Sequence, residues 1–261
     1  MITSVALGGM AGAAAWDGAR VWVTVDSHLA AFDAEGREVL RRSAPPGVRS
    51  LVAGPEHLVA VAVAGVAVWL DRAGVEVARR PVDGDAVVVG GPGGAFVVDR
   101  ATERAWPVAG AGALGPPTPV PGVAGATVAR GAIWWTSRHD SVLRGNGMEV
   151  ELDAPTGAPV CGCAGSVWVS VEGGLLRVGA WGGETSPPLP APIGPAALAC
   201  GDGHLAGASA AGAFVLDPSA EADARRLDVA LAGAPAVVVA TPTSVWLFPA
   251  GEPSALVVPY R

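Results

Sequence analysis

A short apolar segment, usually with an aromatic second residue, recurs seven times along the chain. Its members are Val21-Trp22, Leu58-Val59, Ala95-Phe96, Ile133-Trp134, Val167-Trp168, Leu205-Ala206 and Val245-Trp246, spaced 37, 37, 38, 34, 38 and 40 residues apart. A nearly constant period of this length marks a chain built from stacked units, none of which can bury its own apolar faces. Each unit reads as strands. In the second, Arg49–Ala53, His57–Ala62, Val66–Leu70 and Val75–Arg79 are apolar or alternating runs separated by Gly54-Pro-Glu56, Ala64-Gly65 and Asp71-Arg-Ala-Gly74. Four antiparallel strands in one such period make a β-propeller blade. The expected fold is therefore all-β: a single seven-bladed propeller domain over residues 1–261, with four-stranded blades of about 37 residues.

Two further landmarks keep the same register. An Asp-initiated turn after the third strand appears at Asp33, Asp71 and Asp217, and an Arg pair on the fourth strand at Arg41-Arg42, Arg79-Arg80 and Arg225-Arg226. Asp33 to Asp71 and Arg41 to Arg79 are both 38 residues, while Asp71 to Asp217 and Arg79 to Arg225 are both 146. On an outer edge strand, charge discourages edge-to-edge association. The Pro-rich stretches Gly115–Pro121 and Ser186–Pro192 fall at the fourth-strand position of units three and five, where proline is tolerated. The seventh unit ends at Arg261 after three strands, and the first is preceded by a spare strand, Ile2–Leu7. Pairing the spare strand onto the seventh blade would close the ring.

The hydrophobic–Asp–x–x–Gly turn and the strand starts Gly131-Ala-Ile-Trp-Trp-Thr136 and Gly165-Ser-Val-Trp-Val-Ser170 resemble repeats of the NHL/YVTN and streptogramin-lyase type of propeller. The resemblance implies a seven-bladed ring whose entrance is built by the loops between second and third strands and between blades. WD-repeat and kelch signatures are absent in register. The family's catalytic set, a His pair with a metal-linked Glu, has no matching motif here.

Bulk properties narrow the function classes. Net charge is −7 and pI about 5.0, every basic residue is Arg, and no Lys or Gln occurs. This usage fits a GC-rich, actinobacterial coding genome. An acidic chain offers no footprint for a phosphate backbone, so nucleic acid is not an expected partner. Met1–Ala15 lacks the positive start of a signal peptide, and the longest uncharged apolar run, Leu58–Leu70, has 13 residues, too few to span a bilayer. A cytoplasmic monomer with no membrane association is expected. Cys161, Cys163 and Cys200 make an odd count, expected as reduced, buried thiols. Cys161 and Cys163 share a strand face, and Cys200 has the parity to meet them across blades five and six. A thiolate metal site would need a fourth ligand as well.

The seven inner strands carry no carboxylate and no His, so neither a channel metal nor another cofactor is expected. Polar chemistry gathers in the second-to-third-strand loops: Asp26-Ser-His28 in blade one, Arg100–Arg104 in blade three, Ser137-Arg-His-Asp-Ser141 in blade four and Glu172 in blade five. His28 and His139 belong to blades about 154° apart round the ring and cannot share a proton. The compact candidate cluster is Arg100, Glu103, Arg104, Arg138, His139, Asp140 and Glu172. It admits two readings. The first is a non-catalytic propeller that binds a protein partner or small ligand through these loops, with Asp26 and His28 as a further contact. The alternative is a lyase, cyclase or hydrolase acting on a small natural-product-like substrate. In that case His139 is the base, Asp140 and Glu172 are its carboxylates, and Arg138 or Arg104 holds an anion. His57 and His204, in register on the opposite face, read as structural.

Overall fold

The computed structural model describes residues 2–91, 93–179, 185–186, 189–191, 196–218, 224–231, 233 and 235–260. Its strands form seven antiparallel sheets in sequence order, and no helix occurs among the described residues. The first blade is Ala11–Trp16, Val21–Val25, His28–Phe32 and Glu38–Ser43; the second is Val48–Ala53, Leu58–Ala62, Val66–Leu70 and Glu76–Pro81. The seventh sheet holds Pro235–Ala240, Ser244–Pro249 and Ser254–Pro259, and its fourth strand is Thr3–Ala6. Thr3 pairs with Val257 and Ala6 with Ser254, so the ring closes through the N-terminal strand, as expected.

Seven core clusters hold the ring together, one at each junction between neighbouring blades. The second strands are buried on both faces, which explains why they read as continuous apolar runs rather than alternating ones. Trp22, Trp69, Trp134, Trp168 and Trp246 are fully buried, each in the cluster shared with the following blade. Blades two and six have Val59 and Ala206 where the other five put an aromatic, and in blade two the cross-strand partner Trp69 supplies the bulk. In blade four Trp134 stands opposite Gly145, where any Cβ would strike the indole. Volume is thus balanced across each strand pair rather than at one sequence position.

Inner strands meet their neighbours more closely. A Cβ at Gly162 would collide with the carbonyl of Val128 in blade four, and one at Gly201 with that of Ala240 in blade seven. Hydroxyls bridge the same seams: Ser50 accepts from the Val88 amide at 2.8 Å and Thr127 from the Gly162 amide at 2.8 Å. Two-residue hairpins at Arg130-Gly131, Asn146-Gly147, Ala164-Gly165 and Asp202-Gly203 have positive φ at both positions, the geometry that matches strand twist.

The Asp landmark works as an Asx turn. Asp71 Oδ1 accepts from the amides of Ala73 and Val75, at 2.8 and 2.9 Å, and Gly74 adopts φ 71°. The turn at Asp217 runs beyond the described residues at 218. The Arg pair does more than charge an edge. Arg41 donates to the Leu7 carbonyl on the closing segment at 2.8 Å, and Arg42 to the Ala73 carbonyl of blade two at 2.9 Å. Arg225 reaches the Tyr260 carbonyl of blade seven at 3.1 Å. The outer strand of blade three is two short pieces, Ala113–Leu114 and Thr118–Pro119, both paired to Arg104–Gly110. In blade five only Leu189–Pro190 is described as the outer strand, and the rest of Ser186–Pro192 lies largely outside the described residues.

An ionic latch joins blades one and two on the face opposite the candidate rim. The Asp17 carboxylate accepts from the Trp22 indole at 2.7 Å, from the amides of Ala19 and Arg20, and pairs with Arg72 at 2.9 Å. Arg72 also donates to the carbonyls of Gly54 and Pro55 in its own blade. Burial alone would raise the Asp17 pKa. The indole, the two amides and Arg72 outweigh it and hold the group below its ordinary 3.8. A folded value below the unfolded one gives stability that is complete above about pH 4 and fades as pH falls through the folded value. Asp17→Asn is therefore expected to cost about 1–3 kcal/mol at pH 7 and to flatten the decline in stability below about pH 4. Urea titrations at stepped pH would show it, and an acid limb identical to the parent's would exclude this role.

Candidate functional site

The loops between second and third strands lie together on one face, and two of them form a bonded unit. Glu103, at φ 54°, receives the Gly122 amide at 3.0 Å and the Arg138 guanidinium at 3.1 Å on the same oxygen. Arg138 also reaches the Arg100 carbonyl, and Arg100 donates to the Ala124 carbonyl at 3.3 Å. The His139 amide donates to Ser137 Oγ at 3.0 Å, and its ring lies over Gly122, where a Cβ would stand 2.6 Å from Cδ2. The Gly122 amide, followed by Arg138 and more weakly His139, holds the Glu103 carboxyl below its usual range. Arg100, Glu103, Arg138 and His139 thus form one network across blades three and four.

The other expected site residues stand apart from it. Asp140 is forked onto Arg144, with both contacts at 2.9 Å, and that guanidinium, which Glu149 also holds, depresses the Asp140 carboxyl. No hydrogen bond joins the His139 ring to Asp140 among the described residues. Glu172 is exposed on the loop of blade five, its amide bonded to the Asp153 carbonyl. Arg104 is the register partner of Asp99, so it shares the sheet face that turns to blade two, away from Arg138. Asp26, at φ 51°, accepts from the Met10 amide at 3.4 Å, and His28 borders an open depression between blades one and two with Arg41, Arg42 and Glu76. Sequence order lists these groups as neighbours; the pleat and the rotamers sort them into separate contacts.

The axial channel is walled by inner strands. A cavity of about 500 Å³ at the end opposite the rim is walled by small residues such as Ala14, Ala53, Gly90 and Gly162, with Trp16 the one large side chain and Asp202 the one charged one. No group of three or more metal-binding side chains exists among the described residues.

The cysteines correct the expectation of three reduced thiols. Cys163 and Cys200 do face each other across blades five and six, and they are joined as a disulfide with Cα atoms 5.4 Å apart. Cys161 stays a free, buried thiol, its pKa pushed up to about 12 by burial. With two sulfurs spent on each other, a three-thiolate metal site is excluded. Of the register-matched histidines, His204 packs at 5.4 Å on Tyr260, while His57 sits 4.0 Å from Glu56.

Sequence reasoning missed one polar constellation. Asp83, in the loop from blade two to blade three, shares a cavity with Asp99 at the end of the second strand of blade three, and the Asp99 carboxyl raises the Asp83 pKa. The two are 16 residues apart and share no motif. The one available signal is that Asp99 ends an otherwise apolar run.

Comparison with known proteins supports the architecture. No protein-family model matches the chain, and no curated protein matches its sequence. Among solved structures, a streptogramin B lyase superimposes with a TM-score of 0.74 and 17% identity, covering 99% of this chain and 97% of the lyase. The Neurospora crassa Pan2 WD40 domain gives 0.76 at 9% identity, over 99% and 95% of the two chains. A chain from a mitotic checkpoint complex gives 0.77 at 9% identity, over 99% and 91%. At these identities the likeness is one of fold. The resemblance to streptogramin-lyase-type repeats is therefore upheld as a seven-bladed propeller.

Proposed function

We propose that this propeller is a non-catalytic scaffold that binds a partner through the rim of blades three and four, presented by Arg100, Glu103, Arg138 and His139. One observation carries the reading: Glu103 and Arg138 are paired to each other, Glu103, Arg138 and Arg100 are each tied to backbone, and the His139 ring packs over Gly122, so the rim is a preorganised polar surface. A catalytic role for His139, Asp140 and Glu172 would call for a base aligned by a carboxylate. Here Asp140 is held by Arg144, and Glu172 stands on another loop. The WD40 domain and the checkpoint-complex chain among the similar structures favour a protein as that partner. No helix among the described residues is long and apolar enough to cross a membrane. The Cys163–Cys200 bond weighs against a reducing compartment, where disulfides are rare.

Photo-crosslinking tests this reading in the native host. A benzophenone side chain placed at position 138 is expected to give a discrete protein adduct, and one at position 57 on the opposite face to give none. Asp140→Ala combined with Glu172→Ala, both outside this network, is expected to leave the adduct in place. Equal labelling at both positions, or none at 138, would refute rim binding.

A further inference from the structure

A cavity of about 400 Å³ opens between blades two and three, lined by Arg80, Asp83, Val97, Asp99, Trp106 and Leu114 among others. Its volume lies within the range of small-ligand pockets, about 300–1,000 Å³. Asp99 is buried and fixed: Oδ1 accepts from the amides of Ala101 and Thr102, and Oδ2 from the Thr102 hydroxyl. Asp83 reaches it from the exposed inter-blade loop, and contact with Asp99 raises the Asp83 pKa. Two touching carboxyls need a proton or a cation between them. No cation forms an ion pair with either among the described residues. Arg80, on the outer strand of blade two, likewise makes no ion pair or hydrogen bond among them, and Asp85 nearby is already matched by Arg49 at 3.7 Å. The lining therefore brings together a guanidinium without a paired anion, two carboxyls without a paired cation, and apolar surface from Val97, Leu114 and the Trp106 indole.

We propose that this pocket binds a small zwitterion of the α-amino-acid class. Its ammonium would replace the proton between Asp83 and Asp99, its carboxylate would meet Arg80, and an apolar side chain would lie against Trp106, Val97 and Leu114. An ammonium offers three donors to carboxyls that already sit together, and a guanidinium fork matches a carboxylate. A divalent metal fits poorly, since a hard cation takes six or more oxygens and only two carboxyls converge. A simple anion would meet the acid pair, and a simple cation would meet Arg80. A ligand with both charges meets each wall with its opposite. The site is separate from the Arg138 network and does not depend on it.

Calorimetric titration of the full chain tests the proposal, with L-phenylalanine as probe beside its methyl ester and its N-acetyl derivative. Phenylalanine is expected to bind, and each derivative, lacking one charge, to bind roughly tenfold more weakly or worse. Asp83→Asn should weaken phenylalanine and close its gap to the N-acetyl form. Arg80→Gln should close the gap to the ester. Both positions are exposed, and unchanged melting curves would show that the variants fold. Absence of binding by phenylalanine and by L-leucine at millimolar concentration overturns the proposal. So does equal binding of ester or N-acetyl form, or discrimination that survives both variants. Loss of binding in Arg138→Ala with Asp83→Asn unaffected would place the ligand on the rim and overturn it too, whereas rim binding itself is decided by the crosslinks.

Discussion

Removing residues 2–8 is expected to lower the melting temperature by roughly 10–20 °C and to make the protein self-associate. The segment supplies the fourth strand of blade seven, with four register pairs from Thr3–Val257 to Ala6–Ser254. It buries Val5 and Leu7 in the cluster between blades seven and one, beside Phe32 and Trp246. Burying side chains of that size contributes about 1.5–3 kcal/mol each. The Arg41 bond to the Leu7 carbonyl and the contact of Val5 with Gly36 tie the same segment to blade one. Its loss therefore opens a seam as well as an edge, and leaves Ser254–Pro259 paired on one side only. Calorimetry and sedimentation velocity on the truncated chain would show both effects. A truncated protein as stable and as monodisperse as the parent would mean that closure does not rest on this strand.

Breaking the Cys163–Cys200 bond is the second large effect. It links the inner strands of blades five and six across a sequence separation of 37. A crosslink closing a loop of that length restrains the unfolded chain by about 3–4 kcal/mol. Reduction, or Cys163→Ala with Cys200→Ala, is expected to cost that much, roughly 6–16 °C in melting temperature. Cys161→Ala leaves the bond intact and should cost about 1 kcal/mol. Thiol counting in denaturant checks the premise directly: one reactive thiol before reduction and three after. Three before reduction would show that the bond is absent.

The strands were legible because their physics is local. Val66–Leu70 is observed with the same ends, and Arg49–Ala53, His57–Ala62 and Val75–Arg79 correspond to observed strands that differ by one or two residues at their ends, the uncertainty inherent in fraying termini. Blade three was harder, since prolines at 116, 117, 119 and 121 cannot donate to a ladder and split its outer strand into two pieces. Within the candidate rim, proximity of loops was readable but partners were not. His139 and Asp140 are adjacent in the chain, yet Arg144, two strand positions beyond Val142, lies where the Asp140 carboxylate can fork onto it. Arg104 follows Glu103 directly but begins the strand, where its register partner Asp99 sets its face, while Glu103 sits in the turn at φ 54°.

The amino-acid order alone determined the repeat, the blade number, the closing strand and the apolar channel, since each follows from periodicity and from the need to cover open sheet edges. Only the folded ring decided that Cys163 meets Cys200, that Asp17 latches onto Arg72, and that Asp83 meets Asp99 in a pocket with Arg80. Each of these joins residues from different blades. Such contacts depend on the angle at which one rigid sheet packs on the next and on the rotamers chosen there, and neither quantity is written in a repeat of thirty-odd residues.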